Sequence, residues 1–203
     1  MSDRLACYSL KHAKIFDSPE ILINGHFNKA SANNRQYILD LLRTNFSHRT
    51  KFYTDGSLFH DPVRVGYGVF CPKLNISDKG ALNMLSNIFV AEIFAIYRTL
   101  SLCQSFHVIN VVIFADSQAA IRGLCGLGYS AGLHLLIADC RKIISQIKET
   151  GNVALVWVPG HKGIFRNEKA DLLVKDGSSE EIRYNKIFSL DYRRISAQLV
   201  KEK

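Results

Sequence analysis

Asp55, Glu92, Asp116 and Asp171 each stand among apolar neighbours. Asp55 follows the strand-like run KFYT, Glu92 sits between Val90, Ala91, Ile93 and Phe94, Asp116 ends VINVVIFAD, and Asp171 lies among Ala170, Leu172 and Leu173. Taken singly, each has an ordinary reading, because surface acids are common and an Asp beside Gly is usually a turn residue. Together they ask for more. A carboxylate in apolar surroundings loses hydration unless it is paired or bound to a cation, so four of them imply a metal ion or a buried basic partner. Few lysines or arginines are adjacent to supply that partner. Hard divalent ions such as Mg²⁺ take oxygen ligands, keep several waters and bind through a few carboxylates plus substrate phosphate. Two such ions held side by side would serve an in-line displacement at phosphorus, the chemistry of a nuclease. His161, flanked by Gly160 and Gly163, could move a proton to or from a leaving group; read alone, it is an exposed loop histidine.

The elements that must position these groups follow from periodicity. KFYTDGSLF alternates toward a strand, His60 to Pro62 turns, and VGYGVFCP returns as a second strand, so a hairpin is expected. Ile76–Met84 is ambiguous and could add a third strand. Phe89–Gln104 has apolar residues at helical spacing with Glu92 near its start, and VINVVIFAD is a buried-strand run delivering Asp116 to a sheet edge. A short helix over Ser117–Leu124 is expected to be broken by glycines at 123, 126 and 128, and is followed by a longer amphipathic helix over Ala131–Thr150 and the strand NVALVWVP. The loop GHKGIFRN then leads into a helix over Asn167–Lys175 with Asn167 as its N-cap. Strand runs followed by strand–helix alternation predict a mixed sheet of five strands flanked by helices, an α/β fold. Outside it, residues 1–50 read as an N-terminal extension or linker with a helical stripe from Tyr37 to Phe46, and residues 178–203 as a tail with a helix over Asp191–Glu202.

The chain has 203 residues, 47% hydrophobic and 22% charged, enough for one substantial core. Its formal net charge of +8 favours a polyanionic partner, although the excess is spread rather than blocked. The five cysteines, Cys7, Cys71, Cys103, Cys125 and Cys140, are odd in number and contain no CxxC pair, which points to a reducing compartment. No signal-peptide run opens the chain, and its most apolar stretch, Ile88–Cys103, is interrupted by Glu92 and Arg98. An intracellular protein with no membrane partner is expected, nucleus and cytoplasm being indistinguishable. Trp157 and the Phe-rich helix read as core, Gly56 and Gly66 as turn residues, and Arg193 to Ser196 as a solvated helix face.

Four ordered blocks carry a resemblance: TDGS at 54–57, AE at 91–92, ADSQAAI at 115–121 and WVPGHKGIFRNEKADLLVK at 157–175. Over about Lys51 to Gly177 the chain resembles ribonuclease H of type 1, and within it the domain of non-long-terminal-repeat retrotransposon polyproteins. The resemblance implies a ribonuclease H-like fold in which Asp55, Glu92, Asp116 and Asp171 converge on two Mg²⁺ ions, with Mn²⁺ able to substitute and Asp55 bridging. It implies an endonuclease cutting the RNA strand of RNA–DNA hybrids to leave 5′-phosphates. His161 takes the family's mobile histidine position, and Ser117, Gln118 and Asn167 match substrate contacts. Hybrid selectivity would come from reading the 2′-OH of one strand and the deoxyribose shape of the other.

The chain also departs from that pattern. Where bacterial enzymes carry an Asn-rich run before the glutamate, this one has SNIFVAE with Asn87 as the polar candidate. LFHDPVRVG replaces the glycine-rich turn, and no basic protrusion lies between Gly126 and Asn152. Substrate affinity would then come from flanking segments or from an upstream reverse transcriptase in a longer polyprotein, of which this chain would be a part or a host-retained copy. The expected unit is a monomer. Two rival functions stand beside this one. A different nuclease or integrase of the superfamily would lack the GHKG…NEKAD arrangement, and a catalytically silent nucleic-acid-binding module is opposed by the complete acidic set.

Overall fold

Parity along three neighbouring strands divides the interior into two layers. Phe52, Val111, Ile113, Val153 and Leu155 belong to one buried cluster; Tyr53, Val112, Phe114, Ala154 and Val156 belong to the other. Successive side chains of a strand point to opposite faces, so β-branched runs without polar breaks are what a sheet covered on both sides requires. The structure, a computed structural model, describes residues 20–22, 46–125, 135–160 and 165–184.

The strands are β1 (Glu20–Leu22), β2 (Thr50–His60), β3 (Val63–Cys71), β4 (Ile76–Leu82), β5 (Asn110–Ala115), β6 (Asn152–Trp157) and β7 (Ile182–Tyr184). The helices are α1 (Ile88–Ser105), α2 (Gln118–Leu124), α3 (Leu135–Lys148) and α4 (Phe165–Gly177). The sheet runs β1-β6-β5-β2-β3-β4-β7. β2, β3 and β4 form an antiparallel meander, while β1, β6, β5 and β2 are parallel, as is the β4–β7 pair. Residues of α1, α2 and α3 complete the larger cluster, and Ala170 of α4 belongs to the smaller one.

The α1 helix is central to the larger layer. Asn87 caps it, its Oδ1 accepting from Val90 N at 3.0 Å, and every residue from Val90 to Ile96 is buried. By length and composition alone α1 could cross a membrane; here it is the core helix of the sheet. The Thr99 hydroxyl satisfies itself by donating to Ala95 O at 3.0 Å.

The mixed α/β sheet expected from the sequence is present, with Ile76–Leu82 as a true strand. The count differs: seven strands rather than five. The two additions, EIL and IRY, are three residues each, too short for a period to show, and they extend the sheet from segments that the sequence assigned to the extension and the tail. Asn167 is a second correction. The helix starts at Phe165, two residues earlier, so Asn167 lies in its first turn and is buried instead of capping it. Third, Gly56 and Gly66 lie inside strands rather than in turns. The helix expected over 37–46, all but its last residue, and that over 191–202 lie outside the described residues; Phe46 itself stands in a turn.

Candidate active site

Strand register alone places two of the acids. Thr54 pairs with Ala115 in the parallel β2–β5 ladder, so the next residues on each strand, Asp55 and Asp116, flank one another where β5 ends. Tyr53 stacks on Phe114 one step earlier, ring centroids 5.1 Å apart, and the Thr54 hydroxyl donates to Phe114 O. These contacts lock the two strands in the register that brings the carboxylates together.

Glycines let the helices come close enough to complete the group. A Cβ on Gly56 would stand 2.4 Å from Ala91 C and Glu92 N, so α1 lies directly on β2 there and delivers Glu92 beside Asp55. Gly68, which pairs with Asp55 across the hairpin, does the same for α4: a Cβ on it would stand 2.5 Å from Ala170 O, one residue before Asp171. On the third side, a Cβ on Gly160 would stand 2.5 Å from Asp116 Oδ2. The Trp157 indole, nearly buried at 4% exposure, donates from Nε1 to Asp116 O at 2.8 Å, holding the backbone at the point where β5 ends.

Asp55, Glu92 and Asp116 offer ligand oxygens that all lie within 4.8 Å of one another. Asp55 and Glu92 are buried and Asp116 is partly open. Three carboxylates this close cannot all be ionised cheaply without a cation. Burial, then the charges of Asp116 and Asp171, push the Asp55 carboxyl up to about 7 against the pull of the Gly56 N–H and of Lys175. Burial, then Asp55 and Asp116, drives Glu92 well above the carboxylate range. Glu92 Oε2 is buried with no hydrogen-bond partner. An orphaned buried carboxylate oxygen on one of three clustered acids fits the donor set that a hard divalent cation completes.

Asp171 stands just outside this group. It is near enough for its charge to raise Asp55, but its own Oδ2 accepts from Lys175 Nζ at 2.8 Å. The apolar neighbours in sequence therefore do not describe its surroundings, and the basic partner that seemed missing lies four residues on. That i,i+4 spacing was the available signal.

A groove of about 560 Å³ opens beside the acids, lined by Asp116, Ser117, Gln118, Trp157 and Gly160 among others. Ser117 is the N-cap of α2, its Oγ accepting from Ala120 N at 3.2 Å, so it orients the helix that presents Gln118 to the groove. Asn167 is buried with its Oδ1 unpartnered. Asn87, the polar candidate of SNIFVAE, is engaged as the α1 cap. His161 lies outside the described residues; it follows Gly160, the residue seated against Asp116. What sequence reading missed are the supports: Gly56, Gly68 and Trp157, whose roles depend on contacts between distant segments, and Lys175, whose partner lies one helical turn away.

Three comparisons bear on this geometry. The RNase H family profile matches residues 47–179. Ribonuclease H of Orientia tsutsugamushi (strain Boryong) is 27% identical over 148 residues, covering 67% of this chain and 86% of the relative. A crystal structure of LC11-RNase H1 in complex with RNA/DNA hybrid aligns with a TM-score of 0.50 at 26% sequence identity, covering 64% of this chain and 96% of that one.

Proposed function

Because this chain belongs to the RNase H family, we propose that it is an endonuclease hydrolysing the RNA strand of RNA–DNA hybrids at Asp55, Glu92, Asp116 and Asp171. The observation that carries the reading is the convergence of three carboxylates within 4.8 Å, one with an orphaned buried oxygen. Asp55, Glu92 and Asp116 would hold one divalent ion, and Asp171, whose charge reaches Asp55, would help to hold a second. When bound there, two Mg²⁺ ions, or Mn²⁺ in their place, would supply Lewis acidity at the attacking and leaving oxygens of the scissile phosphate.

The chain's own residues do the rest. The Gly56 N–H favours the ionised form of both Asp55 and Glu92, and a fixed backbone dipole of this kind needs little reorganisation at the moment of reaction. Trp157 and the end of β5 hold Asp116 at the mouth of the groove. Ser117, Gln118 and Asn167 contact the hybrid, Gln118 from the groove wall. His161 moves a proton at the leaving 3′-oxygen, and the products are a 3′-hydroxyl and a 5′-phosphate. The crystallised relative in complex with RNA/DNA hybrid supports hybrid as the substrate.

The block WVPGHKGIFRNEKADLLVK supports a finer placement among retrotransposon-polyprotein domains, with a reverse transcriptase domain as partner and residues 51–177 as the catalytic unit; a monomeric state and, from five cysteines without a CxxC pair, an intracellular site of action are proposed with it. The family assignment does not depend on that placement.

The test is digestion of an end-labelled RNA–DNA hybrid, an RNA duplex and a DNA duplex by purified protein with Mg²⁺, with the product ends identified. Cutting confined to the hybrid's RNA strand, leaving 5′-phosphates, is expected. Equal cutting of the DNA duplex, or no cutting of hybrid by folded protein with either Mg²⁺ or Mn²⁺, contradicts the proposal.

A further inference from the structure

Lys175 lies one helical turn after Asp171 on α4, with the acid on the N-terminal side, the favourable order for an i,i+4 pair. Its ammonium donates to Asp171 Oδ2 at 2.8 Å. Its side chain is 53% exposed, against 18% for Asp171, so it reaches in from solvent along a flexible stem and can swing back out. The reach extends past its partner, since the Lys175 charge is felt at Asp55 as well. The four acids are thus not equivalent: Asp55, Glu92 and Asp116 share one cluster, while the fourth is already met by a cation of the chain itself.

We propose that Lys175 is a positioning residue that makes the two cation sites unequal, because an ion requiring Asp171 must either displace the lysine ammonium from Oδ2 or bind beside it. This rests on the reading of the acidic cluster as a metal site. The ion held by Asp55, Glu92 and Asp116 binds first and tightly; the ion needing Asp171 binds second and more weakly. A half-exposed Lys–Asp pair contributes little by itself, so a divalent ion wins the exchange at sufficient concentration. The remaining repulsion between ammonium and ion adds to the cost, and together they weaken the second site about threefold to tenfold.

The test is calorimetric titration of the full chain with Mn²⁺, for the wild type, Lys175→Met, Lys175→Arg and Asp171→Asn, with thermal unfolding confirming that each is folded. Two classes of binding are expected in the wild type, and Asp171→Asn should lose the weaker. Lys175→Met should tighten the weaker class about threefold to tenfold and the tighter one, through Asp55, by clearly less, and Lys175→Arg should keep the wild-type inequality. An unchanged weak class in Lys175→Met overturns the role of the lysine. So does an equal shift of both classes, or a weak class that survives in Asp171→Asn. A wild type that binds no Mn²⁺ overturns the metal-site reading itself, and a lysine role with it.

Discussion

Gly56 and Glu92 meet backbone to backbone: a Cβ on Gly56 would stand 2.4 Å from Glu92 N. Strand β2 and helix α1 are therefore pressed together at the one place where two of the acids must converge, and no flexible side chain can yield there. Gly56→Ala should push α1 off the sheet, destabilising the fold by about 2 kcal/mol or more and lowering hybrid cleavage by roughly a hundredfold, since small displacements of reacting groups have effects of that order. Thermal unfolding and initial rates on the same preparation check both halves. A variant that keeps its melting temperature and its rate would show that the close approach is not needed.

Asp55 protonates near pH 7 in the folded protein and near its ordinary value of 3.8 in the unfolded chain. Between those values the folded state binds the extra proton, so stability falls as pH rises from about 4 to about 7 and stays low above that. Glu92, raised from 4.5, acts in the same direction. For Asp55 alone the upper bound is about 4 kcal/mol. Melting temperatures measured in chelator should decline across this window, recover at pH 8 when Mg²⁺ is added, and decline much less in Asp55→Asn. A metal-free profile that rises from pH 4 to 7 in the wild type, with no difference in the variant, would contradict the assignment.

Trp157 is the only tryptophan of the chain and its indole N–H is bonded to the Asp116 carbonyl. Two outcomes are expected. Its fluorescence should change when Mg²⁺ or Mn²⁺ is titrated in, giving a signal of cation binding that needs no substrate. Trp157→Phe, which keeps an aromatic ring in the core but loses the donor, should cost about 1–2 kcal/mol of stability and weaken cation binding several-fold by calorimetry. Full metal affinity in a destabilised Trp157→Phe would confine the residue to packing.

How much of this was legible beforehand divides along a physical line. β2, β3, β5 and β6 were legible because each is long enough for its pattern to repeat, and α1 because its apolar spacing runs over several turns. The acids were legible because a charged residue inside such a pattern is costly and so conspicuous. β1 and β7 were not, because three residues carry no period. Asn167 was misplaced because an Asn before Glu-Lys-Ala-Asp looks like a cap, and only the start at Phe165 shows otherwise. Gly56 and Gly68 were opaque for another reason: a glycine's contribution is the absence of a side chain, which means something only once the element lying over it is known. Lys175 was legible as an i,i+4 partner of Asp171, since that spacing places the two side chains on one helix face.

The Asp55, Glu92 and Asp116 cluster is proposed as a cation-dependent hybrid-cutting site. Its most direct measurement is single-turnover cleavage of a labelled RNA–DNA hybrid by the wild type and by Asp116→Asn, with and without Mg²⁺, beside His161→Ala. Cutting by the wild type only with Mg²⁺, abolished in a folded Asp116→Asn and merely slowed in His161→Ala, is the predicted result. Wild-type rates in Asp116→Asn, or cleavage that persists in chelator, would contradict it.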